Sequence, residues 1–205
     1  MRETVKLPPP DQKGDTSLEE AIARRRSIRH FSSEPVTLPQ LSQILWAAQG
    51  ITDTSMAYRA IPSAGATYPL EIMVSCGQTT IDDIVAGIYH YNMDSHSLTL
   101  HHKGDVRLEL AGAALNQDFI YEAPVDIIVC AVYSRTLTRY GERGERYVHI
   151  ELGHAGQNIY LQATALGLAT AAIGAFNDEQ VKKILRLDKQ YQPLYIMPLG
   201  KPALS

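Results

Sequence analysis

Apolar positions along this chain fall into short blocks with a helical or a strand period, separated by glycine, proline and small polar residues. Ser17 is followed three residues later by Glu20, and Leu18, Ile22 and Arg25 share one stripe. That spacing predicts a capped amphipathic helix from Ser17 to Arg26 with acid at its start and base at its end. The alternation Ser27-Ile28-Arg29-His30-Phe31 predicts an extended strand over Arg29 to Phe31. After a connector from Glu34, Thr37 caps a second helix whose first turn holds Pro39. Leu41, Ile44, Leu45 and Ala48 line one face of it, and it stops at Gly50.

From Ile51 to Pro69 no period is legible, and Pro62 to Pro69 is a run of small residues, a loop of the length that compact domains use for function. Glu71 to Cys76 reads as a buried strand. Gly87 to Tyr91 and Ser97 to His101 read as a hairpin across Asn92 to Ser95. A helix is expected over Asp105 to Leu115, and Val125 to Tyr133 is a continuous apolar strand of the kind buried on both faces. A long helix over Glu145 to Leu166, a strand near Ala169 to Ala175, a helix over Asn177 to Leu185 and a strand near Leu194 to Leu199 complete the series. Such an alternation predicts one layered α/β or α+β domain over 17–205, preceded by an extended, proline-bearing arm over 1–16.

Charge sharpens this picture. Four of the six residues from Arg24 to Arg29 are arginine, in a chain with 19 Lys+Arg against 22 Asp+Glu and a formal net charge of -3. A cationic cluster in an acidic protein points to a discrete anion, phosphate first, and away from nucleic acid. The same arginines would also complement a helix C-terminus with no ligand at all. Residues 1–13 lack the apolar segment of a secretory signal, and the weakly polar stretch from Ala163 to Phe176 is too short and too interrupted to span a bilayer. The expectation is therefore a cytoplasmic protein, with Cys76 and Cys130 as buried, reduced thiols.

No metal site is expected. His149 and His154 are five apart, about 140° around a helix, where a zinc pair needs four. His90, His96, His101 and His102 scatter over both faces of the hairpin and read as solvated imidazoles. Glycine fingerprints for dinucleotides, phosphate loops and nucleophile elbows are all missing. The small residues Gly153, Ala155, Gly156, Ala163, Ala165 and Gly167 suit a helix closely approached by another, in a monomer core or across a dimer.

Four segments in this order resemble the FMN-dependent nitroreductase family: Arg25 to Phe31, Pro62 to Glu71, Arg146 to Leu168, and Ile173 to Phe176. Within that family the chain looks most like the SagB-type dehydrogenases of thiazole- and oxazole-forming peptide synthesis. The resemblance implies an α+β three-layer sandwich, its mixed and mainly antiparallel sheet flanked by helices, working as an intertwined homodimer. By position, Arg25, Arg26, Ser27 and Arg29 would hold the FMN phosphate and ribityl chain, with Lys201 as a late basic addition. Pro62, Ser63, Ala64, Gly65 and Ala66 of the other protomer would lie along the flavin ring, with Ile173 and Gly174 at its redox-active edge. The implied activity is ping-pong hydride transfer from NAD(P)H through flavin N5 to a small acceptor such as a nitroaromatic or quinone. Azoline oxidation and a non-catalytic flavin-binding module are the alternatives. Azoline dehydrogenases place a Lys-Tyr pair before the long helix, where this chain has Arg139-Tyr140. Arginine does not act as a general base, which leaves Tyr140 as a pocket-lining residue.

Overall fold

Two strands buried along their whole length, Leu70–Cys76 and Val125–Ala131, run side by side at the centre of the sheet. Both are nearly uninterrupted apolar runs, the pattern of a strand covered on both faces. The computed structural model describes residues 3–78, 81 and 84–203. In chain order its elements are Thr4–Lys6 (β1), Leu18–Arg24 (α1), Leu38–Gln49 (α2), Ile51–Asp53 (β2), Tyr58–Arg59 (β3), Leu70–Cys76 (β4), Gly87–Asn92 (β5) and Ser97–Lys103 (β6). They continue with Arg107–Ala113 (α3), Phe119–Glu122 (α4), Val125–Ala131 (β7), Ser134–Tyr140 (α5), Arg143–Ala165 (α6), Ala169–Thr170 (β8), Asp178–Ile184 (α7) and Gln192–Gly200 (β9).

Seven strands form one sheet in the order β1-β6-β5-β4-β7-β9-β8, and each described pair is antiparallel. Because side chains alternate along a strand, the sheet presents two apolar faces. Ile72, Val74, Ile127, Val129 and Met197 meet Leu41, Ile44, Leu45, Leu152, Ala155 and Ile159 of α2 and α6. Met73, Ile88, Ile128, Cys130 and Ile196 meet Leu110, Ile120 and Val181 of α3, α4 and α7. The result is the three-layer α+β sandwich expected from the sequence.

Several local expectations shift. Residues 4–6 of the proline-bearing N-terminal segment join the edge of the chain's own sheet by pairing with β6. Arg29 to Phe31 is not a strand; it contributes one bridge, Phe31 to Pro202. The expected strand over Ala169 to Ala175 shrinks to β8 and a bridge from Ile173 to Ile196. The aperiodic stretch after Gly50 folds into the β2–β3 hairpin and a 3-10 turn at Ala64–Ala66. β7 ends at Ala131, two residues short of the expected Tyr133, and α5 begins at Ser134.

Three of the four hairpin histidines are another correction: His90, His96 and His101 are half-buried and bonded, not solvated. His90 Nε2 lies 2.7 Å from Glu71 Oε2, His96 bridges Ser42 and Tyr91, and His101 bonds the Arg186 carbonyl. Each is held by a residue remote in sequence, so local alternation carried no sign of it.

Candidate functional site

The arginine turn is built by a helix that stops on time. Ser17 Oγ accepts the Glu20 N–H at 3.1 Å, and Arg25 leaves helical geometry with φ -51 and ψ 124. The chain then runs along the sheet edge: the Ile28 N–H donates to Thr170 O, Ser32 N–H to Lys201 O, and Ala203 N–H to His30 O. Arg24 and Arg26 line a crevice of about 160 Å³ together with Ile28, Tyr160, Thr170 and Pro202. Arg24 is paired with Glu20 at 2.7 Å, while Arg26 reaches the Ala23 and Arg25 carbonyls. The Thr170 hydroxyl is buried there without a hydrogen-bond partner.

Tyr160 of α6 organises the neighbouring residues. Its hydroxyl shares a 2.9 Å hydrogen bond with Ser27 Oγ and accepts the Ala172 N–H at 2.7 Å. Arg25 rests over its ring at 5.2 Å. Arg29 rests instead over Phe119, 5.9 Å from the ring centroid. Tyr160 packs on the α2/α6 layer and Phe119 on the α3/α4/α7 layer, so Arg25 and Arg29 lie against opposite sides of the sheet. Lys201 is tied to Glu34. Of the residues expected at a phosphate site, Arg25, Arg26 and Ser27 gather around Tyr160, whereas Arg29 and Lys201 take other partners. Arg24 was visible in the arginine run; Tyr160 and Thr170 carried no local signal, because distant elements deliver them.

The small-residue loop forms the second half. Ser63 Oγ accepts the Tyr68 N–H at 2.9 Å, and Thr67 Oγ1 meets Thr136 Oγ1 at 2.8 Å, which fixes the loop to α5. Gly65 takes φ 59 and ψ 23, a conformation that costs other residues strain. A Cβ on it would fall 2.5 Å from Tyr140 Oη and 2.9 Å from Arg139 Cζ. Arg139 Nη1 donates to the Gly65 carbonyl at 3.1 Å, and Tyr140 stands edge-on to Tyr147 at 5.0 Å. Beside the loop is a cavity of about 630 Å³, lined by Arg59, Pro62, Ser63, Gly65, Tyr68 and Arg139 among others. Ala64 belongs to the same turn.

Beneath Ser63, Glu151 of α6 is 2% exposed. Its Oε1 and the nearby Gln49 Nε2 are both buried without a partner. Burial pushes the Glu151 carboxyl up to about 6, against the opposing pull of the Ser63 hydroxyl, the Arg59 charge and the Gln49 amide. Glu71 has the opposite balance. Burial raises it, but hydrogen bonds from His90 and Arg135 outweigh that and hold the carboxylate below its usual range.

Ile173 is buried and exchanges backbone hydrogen bonds of 2.9 and 3.0 Å with Ile196. The next residue, Gly174, is exposed near Tyr195: a Cβ added there would lie 3.8 Å from the ring, and one added at Gly156 of α6 would lie 3.3 Å away. Tyr133 Oη and His149 Nε2 share a 2.7 Å bond.

The two halves sit at opposite ends of α6. Tyr160, which touches Arg25 and Ser27, and Tyr147, which touches Tyr140, are about 20 Å apart at 1.5 Å per residue. Among the described residues, no group of three His, Cys, Asp or Glu side chains could hold a metal, and no helix is long and apolar enough to cross a membrane.

A family profile described as "Nitroreductase family" matches residues 22–201. A Methanocaldococcus jannaschii protein provisionally named a nitroreductase is 46% identical over 204 residues, 98% of each chain. The microcin B17-processing protein McbC of Escherichia coli is 26% identical, the match covering 84% of this chain and 65% of that one. A solved Ralstonia eutropha structure, also provisionally named a nitroreductase, superposes with a TM-score of 0.87 at 27% identity, covering 98% of this chain and 90% of that one.

Proposed function

Because this chain belongs to the nitroreductase family, we propose that it is an FMN-dependent oxidoreductase taking electrons from NAD(P)H, with each site completed by a second copy of the chain. The observation that carries this reading is the pair of separated half-sites. One end of α6 offers a basic crevice with an orphaned buried hydroxyl, and the other a glycine turn beside an open cavity. A phosphate suits the first, because guanidinium forks and a hydroxyl donate to its oxygens. A flat ring suits the second, where Gly65 and Ala66 present backbone without bulk.

Arg24, Arg25, Arg26, Ser27 and Thr170 of one chain would hold the phosphate and ribityl chain, and residues 62–66 of the other would lie along the ring. When bound, FMN would supply the hydride and electron chemistry of a ping-pong transfer between NAD(P)H and a small acceptor. The protein's tasks are then to orient the ring and shape the acceptor pocket, and neither cysteine takes part, since Cys76 and Cys130 are both buried. Exposed Leu18 and Ile22 on α1 and Ile150 on α6 support an association of two chains along this side. The buried free thiols suit a reducing, cytoplasmic setting.

Similarity to McbC favours a second reading, dehydrogenation of an azoline in a modified peptide. Against it stands Arg139, whose guanidinium is no base and already donates to the Gly65 carbonyl.

Purified protein is expected to be yellow and to bleach on anaerobic addition of NADPH or NADH, then to regain colour with a quinone. Colourless protein that takes up no FMN on titration contradicts the reading. Flavin that binds but never bleaches reduces the protein to a binding module.

A further inference from the structure

The cavity beside the glycine turn carries a charge pattern that family membership does not explain. Two guanidinium groups, Arg59 and Arg139, line it together with Tyr58, Tyr68, Pro62 and Ile61, and no carboxylate lines it. Neither arginine is in an ion pair among the described residues, where Arg24, Arg107 and Arg135 each are. Arg59 is half-buried, stacks on Tyr68 at 4.3 Å and donates to the neutral Gln49 amide. The nearby carboxylates act on Arg59 without pairing with it: Glu71 is taken by His90 and Arg135, and Glu151 is buried behind Ser63. A half-buried cation held by one neutral amide and one ring keeps N–H groups that an anion would satisfy better than water does.

We propose that this cavity selects an anionic acceptor, a small aromatic or conjugated carboxylate, with Arg59 and Arg139 gripping the carboxylate and the tyrosine rings flanking its planar body. A volume of about 630 Å³ accommodates a molecule of that class. Two forks in one cavity suit a carboxylate, whose two oxygens accept paired N–H bonds, better than a neutral quinone. The inference rests on the proposed function in placing the acceptor here, beside the ring that Gly65 and Ala66 would face.

The test compares para-nitrobenzoate with its neutral analogue para-nitrobenzyl alcohol, by calorimetric titration into the purified protein and into Arg139→Gln. Arg139 is exposed on α5, so its replacement spares the core. The nitrobenzoate is expected to bind at least about tenfold tighter than the alcohol in wild type, the size of one charge-assisted hydrogen bond. Arg139→Gln is expected to remove about that preference, weakening the nitrobenzoate by about tenfold and the alcohol by clearly less. Equal affinity for both nitro compounds in wild type overturns the proposal without any variant. So does a variant that weakens both alike, or one that weakens NADPH alone and thereby assigns the arginine to the donor's phosphate. Flavin colour and bleaching are scored separately. Colour with no anion preference defeats this inference only, and anion preference in a protein that never binds flavin defeats the proposed function only.

Discussion

Glu151 shows what a single side chain can report about the site. Its carboxyl is raised to about 6 from 4.5, so the folded protein holds that proton over a range where the unfolded chain has released it. Stability from this group is therefore fully present below about pH 4.5 and is lost as pH rises through 6, at a cost of about 2 kcal/mol. Glu151→Gln, which cannot ionise, should match wild type in acid and exceed it by about 1–2 kcal/mol above pH 6 in urea titrations. Equal pH dependence of the two proteins would show that Glu151 is not buried in the way described. The position was not legible in sequence, where Glu151 is one more polar residue between His149 and His154. Its burial depends on α2 and the 58–63 segment packing against α6. The arginine run, by contrast, was legible because its density is a property of adjacent residues. Even there the pairing was not: Arg29 turns to Phe119 because the chain crosses the sheet edge between Arg25 and Phe31, which the alternation pattern does not reveal.

At the scale of elements, the strands that sequence marked best are those whose burial is symmetric. β4 and β7 are nearly all apolar, buried along their whole length and central; β8 is two residues long, and the expected strand meets β9 again only through the bridge from Ile173 to Ile196. The Thr37 cap was equally plain: Thr37 and Gln40 form a reciprocal capping box, with Pro39 in the first turn. α5 was hidden, since Ser134 to Tyr140 carries no apolar stripe and is held through Thr67–Thr136 and Arg135–Glu71. The central strands also fix the thiol chemistry. Burial pushes Cys76 up to about 11 and Cys130 higher still, in opposite apolar layers. Native protein should therefore resist a thiol-specific reagent at pH 8, and both cysteines should react once guanidinium unfolds it. Rapid labelling of either in the native state would remove them from the core.

For the molecule as a whole, the three layers follow from a sheet that is apolar on both faces; the element pattern foretold a layered α/β or α+β domain, and the family resemblance supplied the three-layer form. What the pattern could not contain is the separation of the two half-sites by the length of α6, which is a consequence of the sheet carrying its arginine edge and its glycine turn at different corners. That separation makes the central claim a claim about two chains. Its most direct test is to mix protein carrying Arg24→Ala and Arg26→Ala with protein carrying Gly65→Asp, allow the subunits to exchange, and measure bound FMN. Each variant alone should be close to flavin-free. Random exchange of equal amounts should restore flavin to about a quarter of the sites, since each mixed dimer rebuilds one intact site from two unaltered halves. If the exchanged mixture stays as empty as its parents, the two halves do not meet across a subunit boundary and the account is wrong.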